Sequence, residues 1–169
     1  MTTLILTVVG SDRPGLVAAV ADIVDEHGGN WENSQLAELA GAFAGVIQVS
    51  VPDGSRADLT AALRELDGLL TVTVHAGSDA AGDAPARPIT LQILGNDRPG
   101  IVREVSAVLR THELSIDTMT TETRDAAMAG GRLFEASVVA EVPESVDLDA
   151  LRADLERLTT ELQVDITLT

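Results

Sequence analysis

The stretch Gly10-Ser11-Asp12-Arg13-Pro14-Gly15-Leu16-Val17 returns as Gly95-Asn96-Asp97-Arg98-Pro99-Gly100-Ile101-Val102, 85 positions further on (95 minus 10) in a chain of 169 residues. Each copy follows an apolar run and opens a segment with helical periodicity. Each therefore reads as a tight turn from a strand into a helix, and the duplication predicts two copies of one domain.

Working outward from the first copy, Leu4 to Val9 form a short apolar run rich in β-branched residues, as expected of a central strand. After the turn, Leu16, Val17, Val20, Ile23, Val24 and His27 recur at helical spacing, with Pro14 suited to the first helical position. Gly28-Gly29 supplies the freedom for a left-handed cap. Asn30 to Leu39 reads as a strand with a hairpin turn near Gly41, and Phe43, Gly45, Ile47, Val49 and Val51 share one face of the next. Pro52-Asp53-Gly54-Ser55 breaks that strand and offers capping side chains to a helix marked by Leu59, Leu63, Leu66 and Leu70. Val72, Val74 and Ala76 alternate in a fourth strand. The order βαββαβ predicts an α+β fold of the ferredoxin-like kind, an antiparallel four-stranded sheet with both helices on one face.

Residues 77–88 are small, polar and rich in Gly and Pro, so the predicted boundaries are a first domain at 1–77, a linker at 78–87 and a second domain at 88–169. In the second half, Ile101, Val102, Val105, Val108, Leu109 and His112 repeat the first helical stripe at the same offset of 85. Phe134 to Val142 then match Phe43 to Val51 at an offset of 91 (134 minus 43), so six residues have entered around Thr123 to Gly131, an enlarged hairpin loop. Leu148, Leu151, Leu155, Leu158 and Leu162 mark the last helix, and Val164, Ile166 and Leu168 the last strand.

Composition excludes much chemistry. With no cysteine and no lysine, thiolate catalysis, Cys-ligated metals, Schiff-base lysines and P-loop lysines are all ruled out. A formal charge of −16 repels a phosphate backbone, so direct nucleic-acid binding is not expected. No apolar run reaches the roughly 20 residues that span a bilayer, and the first residues lack a basic segment followed by an apolar core and cleavage site, so a cytoplasmic location is expected. His27, His75 and His112 have no metal-ligand spacing, and the serines lack a neighbouring His-Asp arrangement. No catalytic residue, metal or cofactor is implied.

A helix N-terminus presents unpaired amides and the positive end of a macrodipole, which suits a carboxylate or phosphate. The donors expected here are the amides of Gly15, Leu16 and Val17, and of Gly100, Ile101 and Val102 in the second copy. The competing structural reading has Asp12 and Asp97 capping their own helices and Arg13 and Arg98 lying in solvent. Trp31, which corresponds to Ile116 (31 plus 85), reads as a core residue.

The two turns, the Gly28-Gly29-Asn30-Trp31 step and the Gly130-Gly131-Arg132-Leu133-Phe134-Glu135 stretch together make nearly the whole chain resemble tandem ACT domains, in particular the two-domain group of glycine cleavage system transcriptional repressors. That resemblance implies two amino-acid-binding modules without a DNA-binding domain, acting through a protein partner. It also implies a ligand held where two domains meet. Gly15 and Leu16, within the frame Asp12-Arg13-Pro14-Gly15-Leu16, would meet the ligand carboxylate, and Asn30 its polar groups. In the second copy the corresponding frame is Asp97, Arg98, Pro99, Gly100 and Ile101; Ser115 replaces Asn30 there, and Asp117 is an alternative contact for an ammonium group.

The function expected on these grounds is that of a small-molecule sensor which passes its bound state to a partner through ligand-dependent assembly, as a homo-oligomer or with another protein. Two alternatives use the same fold: an interaction module that binds nothing small, and a regulatory subunit acting in trans on an amino-acid or one-carbon enzyme. The second is suggested by similar turns in the ACT domain of formyltetrahydrofolate deformylases.

Overall fold

Alternation decides the first strand. In β1 (Thr2–Ser11), Leu4, Leu6 and Val8 are buried while Thr3, Ile5, Thr7 and Val9 face the other way. The structure, a computed structural model, describes residues 1–78, 86–128 and 130–169. Helix α1 (Leu16–Glu26) buries Leu16, Val20 and Val24, one residue per turn along a single stripe. Val17, expected in that stripe, is 43% exposed. The helix ends in a Schellman motif, with Gly29 N donating to Val24 O and Gly28 N to Asp25 O, both at 2.9 Å, and Gly28 left-handed at φ 67°.

Strands β2 (Asn30–Leu39) and β3 (Ala42–Val51) are joined by Ala40 and Gly41, both at positive φ, the two-residue turn whose twist suits a hairpin. Helix α2 (Arg56–Arg64) buries Leu59 and Leu63 but stops earlier than the leucine spacing suggests. From Glu65 to Asp67 each amide bonds three residues back, so Leu66 and Leu70 follow the helix in tightened turns, and Leu70 still enters the core. The capping expected from residues 52–55 is also absent. Ser55 makes no side-chain cap, and the Asp53 carboxylate instead accepts from the Thr2 hydroxyl at 2.8 Å. Strand β4 (Thr71–Ala76) closes the sheet in the order β2-β3-β1-β4, all pairs antiparallel.

The second unit repeats this plan with β5 (Ala86–Asn96), α3 (Ile101–Thr111), β6 (Ser115–Asp125), β7 (Arg132–Pro143), α4 (Leu148–Leu162) and β8 (Val164–Leu168), in sheet order β6-β7-β5-β8. The chain divides into compact units at Met1–Ala81 and Gly82–Thr169. Of the segment read as a linker, residues 79–85 lie outside the described residues, while Ala86 and Arg87 already belong to β5, opposite Pro143 and Val142. Of the six inserted residues, two add the pair Asp125 and Arg132 to the ladder and four lengthen the hairpin loop.

Each unit has its own core. In the first, Leu4, Leu6, Ile47 and Val49 from the sheet meet Val20 and Leu59 from the helices, each at most 1% exposed. In the second, α4 contributes four buried leucines where α2 contributes two. Burial of each such side chain stabilises by about 1.5–3 kcal/mol. Helices therefore cover one face of each sheet and leave the other open.

Candidate functional site: the repeated strand-to-helix turn

The ladder ends where the turn begins. Ser11 pairs with Ala42, and the next amide, Asp12 N, donates to Gly41 O at 2.8 Å, tying the turn to the β2–β3 hairpin. In the second unit Asn96 pairs with Leu133 and Asp97 N donates to Arg132 O, again at 2.8 Å. The insertion in the second hairpin leaves this tie intact, because it lengthens the loop beyond Arg132.

Gly15 is the N-cap of α1 in a left-handed conformation (φ 92°, ψ 0°), and Gly100 is that of α3 (φ 99°, ψ −7°). L-residues pay a steric cost there of roughly 1–2 kcal/mol, which explains a glycine at both positions. The next side chains, Leu16 and Ile101, are 3% and 2% exposed and pin each helix to its core. The first backbone bonds of the helices run from Ala19 N to Gly15 O at 2.9 Å and from Glu104 N to Gly100 O at 3.0 Å. Among the described residues, the amides of Leu16, Val17 and Ala18 make no backbone hydrogen bond of good geometry, nor do those of Ile101, Val102 and Arg103, although Pro14-Gly15 and Pro99-Gly100 each form a turn just before the helix.

Two details of the sequence reading change. Pro14 and Pro99 precede the N-cap instead of occupying the first helical position, because the left-handed glycine stands between proline and helix. Asp12 and Asp97 do not cap; neither helix has a side-chain cap bond, since the N-cap residue has no side chain and each aspartate lies three residues before it. The donor set accordingly extends by one residue, to Ala18 and Arg103. Neither attracted notice in the sequence, and only the N-cap position reveals them.

The space over the turns is open. A Cβ placed on Gly15 meets nothing within 4 Å, and one on Gly100 meets only Arg103 Nη2 at 4.0 Å. Gly10 and Gly95 differ in kind, because a Cβ there falls 2.9 Å from Leu69 O and 2.5 Å from Val164 Cγ1. Those two glycines admit the chain that leads into or forms the last strand of each unit. Asp12, Arg13, Asp97 and Arg98 are exposed, and Arg98 Nη2 reaches Glu161 O at 3.4 Å, a cation near the last turn of α4.

Asn30 is not beside the turn of its own unit. It pairs with Ser50, which pairs with Thr3, whereas the turn follows Ser11, eight residues along β1 (11 minus 3). At 3.2–3.4 Å per residue that is about 26 Å. Ser115 is likewise level with Glu141 and Pro88, far from Gly100. Asp117 is the bulged residue of β6, between Ile116 and Thr118, and corresponds to Glu32 in the bulge of β2. Each unit thus separates the two halves of the expected ligand set, and Asn30 can meet a turn only from another copy of the domain.

Two of the three histidines make bonds close to the ends of the first helix of each unit. His27 Nδ1 bonds Ile23 O at 2.8 Å, and His112 Nε2 bonds the Asp154 carboxylate on α4 at 2.8 Å. Trp31 packs against the first core with its indole N–H donating to Ser34 Oγ at 3.2 Å. Among the described residues no three His, Cys, Asp or Glu side chains are grouped to hold a metal, and no helix is long and apolar enough to cross a membrane.

Residues 2–77 match the ACT domain family model. The glycine cleavage system transcriptional repressor of Escherichia coli (strain K12) is 24% identical over 161 residues, covering 94% of this chain and 85% of that protein. A crystal structure of an unknown protein from Galdieria sulphuraria superposes with a TM-score of 0.84 at 29% identity, covering 99% of this chain and 96% of that one. The crystal structure of a candidate glycine cleavage system transcriptional repressor shares the fold, with a TM-score of 0.69 at 19% identity over 99% of this chain and 96% of that one. The first unit is thus matched in sequence to the ACT domain, its topology is repeated in the second unit, and the chain as a whole resembles tandem ACT-domain proteins such as the glycine cleavage system transcriptional repressor.

Proposed function

We propose that this protein is a regulatory amino-acid sensor of the cytoplasm: it binds the carboxylate of a small zwitterion at its strand-to-helix turns and passes the bound state to a protein partner, without catalysing a reaction. The observation that carries this reading is the matched pair of left-handed glycine N-caps, Gly15 and Gly100, each starting a helix that has no side-chain cap on its first amides. A helix start with no side-chain cap leaves those donors to an external anion. The ligand's ammonium and side chain would be read by Asn30, or by Ser115 and Asp117, from a second domain copy.

Regulation then follows from linkage: a ligand that bridges two domains favours the assembly in which they meet. The charge of −16 supports a protein partner over direct contact with nucleic acid. The Escherichia coli relative is described as a transcriptional repressor, which supports a role in transcriptional or metabolic control. The proposed domain limits remain 1–77 and 88–169, with the β5 pairing extending the second back to Ala86.

Thermal unfolding with each common amino acid at millimolar concentration tests the reading. A ligand at a hundred times its Kd adds about 2.7 kcal/mol of stability. One or a few amino acids should raise the unfolding temperature, and a flat panel accompanied by no heat of binding would overturn the proposal.

A further inference from the structure

Glu38 is exposed and stands outside the ligand set, yet it lies at the turn end of the first sheet. It pairs with Phe43, and Phe43 pairs with Gly10, so Glu38 belongs to the row of the sheet from which the turn departs. The ladder between β2 and β3 ends at Leu39 and Ala42, which leaves the backbone of Gly41 to find other partners. Its amide donates to Glu38 Oε1 at 2.6 Å, and its carbonyl accepts from Asp12 N at 2.8 Å. One residue thus carries both bonds, one to the Glu38 carboxylate and one to the turn. Ala40 beside it sits at φ 51°, an unfavourable conformation for alanine, and the Glu38 bond helps to offset that strain.

The second unit holds the same point by other means. The counterpart of Gly41 is Arg132 (41 plus 91), which accepts from Asp97 N but lies within the ladder, opposite Asp125. The counterpart of Glu38 is Thr123 (38 plus 85), whose hydroxyl accepts from the Arg132 guanidinium and leaves the Arg132 backbone to the ladder. The added ladder pair does in the second unit what the Glu38 carboxylate does in the first.

We propose that Glu38 is a positioning residue of the first strand-to-helix turn: its carboxylate fixes the Gly41 backbone, and Gly41 fixes Asp12, three residues before the left-handed N-cap Gly15. A carboxylate is a stronger acceptor than a neutral oxygen, so this short bond suits a hairpin tip that the ladder does not reach. Only Arg13 and Pro14 separate Asp12 from Gly15, and the fixed φ of proline carries the placement of Asp12 on to the helix start. The consequence for binding rests on the amino-acid reading: a turn already held in place loses less freedom when it receives a carboxylate.

The scalar coupling that NMR detects across a backbone hydrogen bond, here between Asp12 N and the Gly41 carbonyl carbon, tests the placement in the full chain with no small molecule added. A loss of global stability alone does not move this coupling in folded molecules. Glu38→Ala should reduce it to about half or less, through a longer and less aligned bond. Glu38→Gln keeps an acceptor oxygen and should restore most of it. Thr123→Ala should leave the matching coupling from Asp97 N to Arg132 unchanged, because the ladder holds that backbone. A coupling at Asp12 that persists in Glu38→Ala, no rescue by glutamine, or a loss at Asp97 in Thr123→Ala would overturn the proposal. Titration of the same variants with each common amino acid reads the consequence: any that binds the wild type at the first turn should bind Glu38→Ala at least about threefold more weakly and Glu38→Gln nearly as well. Unchanged binding in Glu38→Ala would also overturn it. If no amino acid binds the wild type while the couplings respond as described, the sensor reading fails and the positioning by Glu38 stands.

Discussion

Asp12 N donates to Gly41 O at 2.8 Å, and its counterpart Asp97 N donates to Arg132 O at the same distance. The aspartates therefore hold the turns through their backbones, and their carboxylates leave the helix amides free. This bond fixes the end of β1 to the hairpin beside it. The left-handed glycine then aims the helix start outward.

Two kinds of glycine in this turn should respond differently to the same change. Gly15→Ala meets no atom within 4 Å but must adopt φ 92°, so a loss of about 1–2 kcal/mol is expected from backbone strain alone. Gly10→Ala brings a Cβ to 2.9 Å from Leu69 O, a backbone atom next to the core residue Leu70. Chemical denaturation should show the larger loss for Gly10→Ala. Equal losses would mean that the approach of the chain before β4 is looser than described.

The second helix cap offers a stabilising change. Glu113 N donates to Arg110 O and Leu114 N to Leu109 O, both at 3.0 Å, which repeats the Schellman motif of α1, but Glu113 occupies at φ 57° the position that Gly28 fills in the first unit. Glu113→Gly should raise the stability of the second unit by roughly 0.5–1 kcal/mol, the relieved strain being partly offset by greater freedom of the unfolded chain. Calorimetric unfolding that shows a loss instead would contradict this assignment.

His112 and His27 occupy equivalent positions but do different things. The His112 side chain is 12% exposed and joins α3 to Asp154 of α4, while His27 bonds within its own helix. A double-mutant cycle of His112→Ala and Asp154→Ala should give a coupling of about 1 kcal/mol. Additive losses would remove the link between these helices.

Much of this fold was legible in residue order. The repeat at 85, its slip to 91 and the alternation from Phe43 to Val51 lead to two four-stranded units, and each pattern has a direct physical cause in strand or helix period. The ends of elements were harder to read. Leu66 and Leu70 keep helical spacing beyond α2, Leu66 N bonding three residues back to Leu63 O and Leu70 N four back to Leu66 O, so their periodicity does not show where α2 stops. Pro14 suggested a helix start that the left-handed Gly15 delays, and Ala18 has no side chain that marks its free amide. Asn30 shows that order in the chain is not nearness in space: α1, 11 residues long, carries the chain back about 16 Å along the sheet, so a residue close to the turn in order lies at the far end of its own unit.

The central claim, that the open amides of the turn receive a carboxylate, is tested most directly by supplying one from within. Ala18 and Arg103 occupy the third helical position of α1 and α3, from which a glutamate can fold back to the N-cap amide and favours the macrodipole. Isothermal titration of an amino acid that stabilises the wild type should show binding lost by at least about tenfold in Ala18→Glu with Arg103→Glu, while the unfolding temperature without ligand is maintained or raised. Unchanged affinity in that folded variant would contradict the account.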